Sequence, residues 1–358
     1  MRFQVYVTRQ LLTAFLFAVG GLLFVALPGI VVSAVHKLPN VEPLLLLRYL
    51  PLVLQTLAPY VLPLCFMLAA VAVYGRLAAD REWIAMQMSG IWPMKLLAPA
   101  FALATVLAGA TYWMVSEELP QLKQRQKRFL VDATASVIEN LQPGKTTIDL
   151  PGNFYLRAAD VDERTGTFID VYIRAPENEK LPGDTFASSV DIRVEGDFLY
   201  CLLKNPEVFD ARGDIQVSTA ELEAQINIAD AFEKDERDWS KPRYMRSSDI
   251  RTALATGVSD PKTKRRMYFE LHRRGVMAVA FFLFLGLGVP TGLLLRRGTQ
   301  LGALAIAAGY GIVYYVFSMR IGKELGLAEG LPAWLGPWST TLAGSVVALV
   351  LLKKAMRR

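Results

Sequence analysis

Six stretches of this chain contain no Asp, Glu, Lys or Arg: residues 10–36, 49–75, 96–116, 275–295, 298–319 and 330–352. A helix needs about 20 apolar residues to cross ~30 Å of hydrocarbon, and every one of the six is long enough. Lipid offers no hydrogen-bond partners, so a spanning segment must satisfy its own backbone, which an α-helix does. The chain as a whole agrees, with 53% hydrophobic residues and a mean hydropathy of +0.31. The expectation is an α-helical membrane protein with six transmembrane helices, three on either side of one soluble insertion. Arg2 and Arg9 precede the first run. That run is far longer than the ~7–15 apolar residues of a signal peptide, so it is read as an uncleaved span.

The insertion, residues 117–274, has the alternation of half-buried antiparallel strands. Val190, Ile192 and Val194 alternate with Asp191, Arg193 and Glu195. Ile169, Val171 and Ile173 are expected on one face, as are Leu222, Ala224, Ile226 and Ile228. Glycines and Pro-Gly pairs at short intervals suggest a sandwich or jelly roll. Residues 230–270 read as a polar connector, and Asp260-Pro261 as the N-cap and first position of a helix leading into span four.

Charge sets the orientation. The insertion holds 24 Lys and Arg against 28 Asp and Glu, a net of −4 within the chain's +6, so the remainder carries +10, at the helix ends. This excludes a nucleic-acid binder. Short connections on one side carry Arg2, Arg9, Arg76, Arg81, Lys95, Arg296, Arg297, Lys353, Lys354, Arg357 and Arg358. The other side has only Lys37, Arg48, Arg320 and Lys323. By the positive-inside rule both termini are cytoplasmic and the insertion lies outside, in a periplasm if the cell has one.

Several chemistries find no support. Cys65 and Cys201 fall in different regions, and His36 and His272 are the only histidines, so no disulfide, metal or cofactor site is expected. Gly144-Lys145-Thr146 resembles the end of a phosphate loop, but Glu139 stands where its first glycine is required. No span carries an ionisable residue at depth, which argues against an ion-coupled carrier and an intramembrane enzyme. Any ATP hydrolysis would belong to another chain.

Residues 76–95 are too charged to span, and Ile84, Met88, Ile91 and Lys95 recur at helical spacing, so a short interfacial helix is expected there. Its Glu82-Trp83-Ile84-Ala85-Met86-Gln87-Met88-Ser89-Gly90 resembles the Glu-hydrophobic-Met-Gln-x-Ser-Gly segment of the LptF/LptG (YjgP/YjgQ) permeases of lipopolysaccharide export. Glu270-Leu271-His272-Arg273-Arg274 ahead of span four, Pro290, and Gly326-Leu327, Leu331-Pro332 and Trp338 before span six are similar to that family in the same order. Arg81 stands where the family often has Ser, and Met88 where it prefers Ala.

The resemblance implies spans one to three in residues 1–116, with a cytoplasmic coupling helix at about 76–95. It implies a periplasmic β-jellyroll and connector in 117–274, and spans four to six in 275–358. The place implied is the bacterial inner membrane, and the role a step in outer-membrane biogenesis. The implied partners are an LptB-like ATPase dimer holding ATP and Mg, a sibling permease, LptC- and LptA-like accessory proteins, and lipopolysaccharide. Glu82, with Arg81, Met86, Gln87, Ser89 and Gly90, would dock the ATPase. His36, Lys37, Arg48, Arg273, Arg274, Arg320 and Lys323, at the outer ends of spans, would contact lipid phosphates. Small residues in spans one and five (Ala14, Ala18, Gly21, Gly302, Gly309) would pack a gate between subunits. Two other readings fit the same layout: a membrane scaffold that transports nothing, and an ABC permease for a different lipid or a lipoprotein.

Overall fold

The computed structural model describes residues 2–37, 43–122, 125–126, 129, 147–150, 154–162, 165–174, 184–195, 198–209, 215–227, 242–295, 300–328 and 330–356. Its helices are α1 (Arg2–Lys37), α2 (Pro43–Ala79), α3 (Glu82–Met88), α4 (Pro93–Trp113), α5 (Ser247–Thr256), α6 (Pro261–Leu294), α7 (Gln300–Leu327) and α8 (Leu335–Met356). Six of these, all but α3 and α5, are long and apolar enough to span a membrane. A π-helical turn, Met114–Glu118, continues α4. The chain divides into two compact units. One comprises Met1–Pro28, Leu54–Leu122 and Ser240–Arg358; the other comprises Gly29–Val53 and Lys123–Trp239. The polar connector from Ser240 onward therefore belongs with the spans and not with the strands.

In the helical unit α6 is the central element. Within its most apolar stretch 78% is buried, against 11% for α1 and 22% for α7 and α8. Lipid tails are as apolar as leucine, so close packing and not dehydration selects such contacts. Small residues allow that packing. A Cβ at Gly292 would lie 2.7 Å from the Val71 carbonyl oxygen and 2.8 Å from the Gly75 nitrogen, and one at Gly288 2.9 Å from the Met67 carbonyl oxygen. Thus α6 and α2 touch backbone to backbone. Val7, Leu11 and Phe15, one turn apart along α1, enter the same core, where Phe15 meets Phe66 edge-on at 6.2 Å. Asp260 caps α6 as expected, accepting from the N–H groups of Lys262 (3.1 Å) and Thr263 (3.0 Å).

The segment between α2 and α4 differs from expectation. Helix α2 runs on to Ala79, α3 is only seven residues long, and α4 begins at Pro93. Arg81 adopts a left-handed conformation (φ 61°, ψ 7°) that breaks the chain between α2 and α3. Trp83 packs against Tyr74, with Met86 and Ile91 partly buried in the same core, while Met88 is 84% exposed. The helical spacing of Ile84, Met88, Ile91 and Lys95 assumed one continuous helix, whereas α3 ends at Met88 and α4 begins only at Pro93.

Among the described residues the second unit contains eight antiparallel strands: β1 (Thr147–Leu150), β2 (Phe154–Val161), β3 (Phe168–Arg174), β4 (Asp184–Glu195), β5 (Phe198–Lys204), β6 (Glu207–Phe209), β7 (Ile215–Ser218) and β8 (Glu221–Asn227). Their order is β1-β2-β3-β4-β5-β8. The long β4 forks, with Asp184–Phe186 pairing β6 and Ser189–Glu195 pairing β5, while β7 adds outside β6. This is the inserted β-domain expected of the fold class. One face assignment is corrected. Ile169 is exposed, and Phe168, Val171 and Ile173 are the buried residues of β3. Asp170 has φ 49°, which turns the chain and breaks the two-residue period. The same break falls at the paired level of β2 (Ala158 and Val161 buried) and β4 (Ala187 and Val190 buried).

Candidate functional site

The end of the helical unit where α6 begins and α7 finishes gathers charge over an aromatic floor. Helix α6 approaches its apolar stretch through Arg266, Glu270, Arg273 and Arg274. Arg266 and Arg273 are seven residues apart, hence two turns apart on one face. Helix α7 runs antiparallel beside it and brings Tyr314, Tyr315 and, two turns on, Lys323. Between them, with α2 on a third side, is a cavity of about 570 Å³. Its floor is apolar, formed by Val276, Met277, Ala280, Tyr314, Tyr315 and Tyr60. Its rim carries Arg243, Arg266, Arg273 and Lys323 against one carboxylate, Glu270.

The aromatic floor is fixed in place. Tyr315 donates its hydroxyl to the Tyr60 carbonyl oxygen at 2.7 Å, and the two rings meet edge-on at 5.8 Å. The Tyr314 hydroxyl pairs with that of Thr341 at 3.0 Å, and its ring meets Phe284 at 5.1 Å. With both hydroxyls occupied, what faces the cavity is ring surface, which suits hydrocarbon better than a polar solute.

The two neighbouring arginines have different roles. Arg273 holds Glu270 through two parallel bonds (Nε to Oε2, 2.9 Å; Nη2 to Oε1, 2.8 Å), reaches the Tyr60 hydroxyl at 3.5 Å, and keeps 31% of its side chain exposed. Arg274 is 1% exposed and all five of its N–H donors are placed. Nε donates to Glu270 at 3.2 Å. Nη1 donates to Ser247 Oγ at 2.8 Å and the Ser116 carbonyl oxygen at 3.4 Å. Nη2 donates to the carbonyl oxygens of Pro242 (3.1 Å) and Met245 (2.7 Å). Arg274 thus ties the connector and the π-turn after α4 to α6. The expectation that it contacts lipid phosphate is corrected: a buried guanidinium with every donor used has nothing left for a ligand.

The other expected residues separate into groups. Lys323 lines the cavity, whereas the neighbouring Arg320 is exposed on α7 outside its lining. Arg48 is exposed on α2 and falls in the second unit. The side chains of His36 and Lys37 lie outside the described residues. Glu82, Arg81, Ser89 and Gly90 are exposed together around α3, with Met86 and Gln87 half-buried; Ser89 Oγ donates to the Met86 carbonyl oxygen at 2.7 Å and closes the helix. Of the gate residues, Ala14 and Ala18 pack into the chain's own core. Gly21 and Gly309 have nothing within 4 Å of where a Cβ would stand, and Gly302 is exposed.

Arg243, Arg266 and the tyrosine floor were missed by sequence reasoning. The i, i+7 spacing of Arg266 and Arg273 and the Tyr314-Tyr315 pair were signals for part of it; nothing in sequence pointed to Arg243. No group of His, Cys, Asp or Glu able to hold a metal occurs among the described residues.

The arrangement suits an amphiphile, with ring surface for apolar chains and a cationic rim for an anionic head. Comparison with individual curated proteins gave no match. The profile of the family described as lipopolysaccharide export system permease LptF/LptG matches residues 5–354. Nearly the whole chain is covered, spans and inserted strands together, and the chain belongs to the LptF/LptG family, whose members are transporter permeases and not enzymes.

Proposed function

We propose that this chain is one permease subunit of an ABC transporter that extracts lipopolysaccharide from the bacterial inner membrane. The observation that carries the reading is the cavity's pairing of a tyrosine floor with the cations Arg243, Arg266, Arg273 and Lys323. Phosphates of a glycolipid head would sit at the rim and acyl chains on the rings. In this reading Arg320 extends the positive field of Lys323 along α7, and Arg48, His36 and Lys37, at sequence positions flanking the outer ends of spans one and two, join the lipid-phosphate set. The termini and α3 are cytoplasmic, and the strand domain within 117–274 is periplasmic.

Energy comes from a separate LptB-like ATPase dimer holding ATP and Mg, docked on the exposed Glu82 end of α3, where a carboxylate can pair with an arginine across an interface. A sibling permease meets the open faces of α1 and α7 at Gly21, Gly302 and Gly309. Closure between the two permeases expels the lipid toward LptC- and LptA-like proteins as a rigid-body switch.

The test uses the complex purified from native membranes in mild detergent. Arg266→Gln with Lys323→Gln is expected to weaken lipopolysaccharide binding at least tenfold while the ATPase stays bound. Glu82→Arg is expected to lose the ATPase while lipid binding persists. Undiminished lipid binding in the first variant overturns the cavity assignment. A wild type that brings down no ATPase overturns the transporter mechanism in favour of a scaffold.

A further inference from the structure

A second cleft, of about 490 Å³, lies at the opposite end of the helical unit, between the first turns of α1 and the last turns of α2. Arg9 and Arg76 both line it, and no carboxylate does. Among the described residues neither guanidinium has a carboxylate partner. Two unpaired like charges facing one cleft repel each other, so the arrangement favours an anion between them. Gln10 also lines the cleft, and its side-chain oxygen is buried with no hydrogen-bond partner. A buried acceptor left without a donor is uncommon in native structures, and turning the amide would bring this oxygen into the cleft, where a donor could meet it.

The remaining walls fix what kind of anion fits. Beyond the arginines the lining becomes apolar, with Ala14, Val73 and Phe17, the last 77% exposed. These lie further into the charge-free stretches of α1 and α2, away from the helix ends that carry the arginines. A free anion would have no use for that wall, whereas a lipid whose head sits between the arginines would lay its first methylenes on it.

We propose that this cleft is a binding site for an anionic glycerophospholipid with a hydroxyl-bearing head, phosphatidylglycerol in chemical kind. Its phosphodiester bridges Arg9 and Arg76, and a head hydroxyl donates to the Gln10 side-chain oxygen once the amide turns into the cleft. Arginine suits the phosphate because its planar fork can give two parallel bonds to two oxygens. A zwitterionic ethanolamine head supplies a donor but adds a third positive charge to the cleft. A bare phosphatidic acid supplies the anion but lacks the glycerol hydroxyls. The site is distinct from the cavity of the transported lipid, which shares no lining residue with it. Its assignment to the cytoplasmic leaflet rests on the orientation proposed above; binding itself does not.

The intact complex is delipidated in detergent and titrated with phosphatidylglycerol, phosphatidylethanolamine or phosphatidic acid, with bound lipids counted by native mass spectrometry. Wild type is expected to retain one more phosphatidylglycerol than Arg9→Gln/Arg76→Gln, which should bind it at least tenfold more weakly with an unchanged melting temperature. Gln10→Leu is expected to erase the preference for phosphatidylglycerol over phosphatidic acid while keeping the preference over phosphatidylethanolamine. Excess inorganic phosphate should not displace the lipid. Equal retention by wild type and the double arginine variant overturns the site, as does separation of the two permeases by that variant, which would make the cleft a subunit contact. Displacement by inorganic phosphate overturns the lipid, and an unchanged head preference in Gln10→Leu overturns the hydroxyl. Because the binding is measured in detergent, it can fail while the transporter reading stands, and the reverse.

Discussion

Replacing Arg274 with Met should loosen the connector from the helical unit. The side chain is 1% exposed and spends its five donors on Glu270, Ser247, Ser116, Pro242 and Met245. Met matches the length but donates nothing, so three carbonyls and a hydroxyl lose a charged donor. Breaking a buried ion pair from one side costs about 3–5 kcal/mol. Glu270 keeps both bonds from Arg273, and the connector carbonyls can turn toward water, so the low end, about 3 kcal/mol, applies. For a unit of this size that corresponds to a fall of roughly 6–12 °C in melting temperature. The assay is thermal unfolding in detergent, paired with hydrogen exchange over residues 242–256. Exchange there should rise before any change in α6. Arg274→Lys keeps the charge but has only three donors and no planar fork, so it should recover less than half of the loss. A melting point within about 1 °C of wild type, with an unchanged connector, would refute the assignment of Arg274 as the tie.

Gly292→Ala places a Cβ 2.7 Å from a backbone oxygen of α2 and should cost about 1–3 kcal/mol, read as a lower melting temperature, whereas Gly309→Ala meets nothing and should leave folding unchanged. Cys201 is fully buried in β5, and burial pushes its thiol up to about 12, so a maleimide at pH 8 should label it only after unfolding. Asp260 accepts from the Thr263 hydroxyl and from the N–H groups of Lys262 and Thr263, which hold its carboxyl below the ordinary range. Its cap is therefore fully present above the ordinary carboxylate range and lost as pH falls through the lowered folded value; amide exchange at residues 262–264 should quicken only there, and in Asp260→Ala at every pH.

The spans were legible because a charge-free run of that length has few other uses in a protein. The start of α6 was legible too, since Asp260-Pro261 carries its own local signal. What failed was phase and commitment. Asp170 broke the period of β3 through a backbone rotation that no alternation rule detects, and Arg81 separated α3 from α2 in the same way. Arg273 and Arg274 look alike in sequence, each a cation at the edge of an apolar run. Four of the five acceptors that bury Arg274 belong to Ser116, Pro242, Met245 and Ser247, and three of the four are main-chain oxygens. A main-chain oxygen has no letter in the sequence. Arg243 was missed for a related reason: only the connector's path places it at the rim, and that path is set by those same oxygens.

The contact between α2 and α6 has a mechanical meaning. Most helices slide over one another by letting side chains change rotamer, and so tolerate shifts of an ångström or more. At Gly75, Gly288 and Gly292 there is no side chain to bend, and main chain rests on main chain. A shift along that seam would open a void or drive atoms together, so the two helices must travel as one piece. Any machine built on this chain thus has a keel at α2–α6, and its moving parts must be sought among the loosely held outer helices.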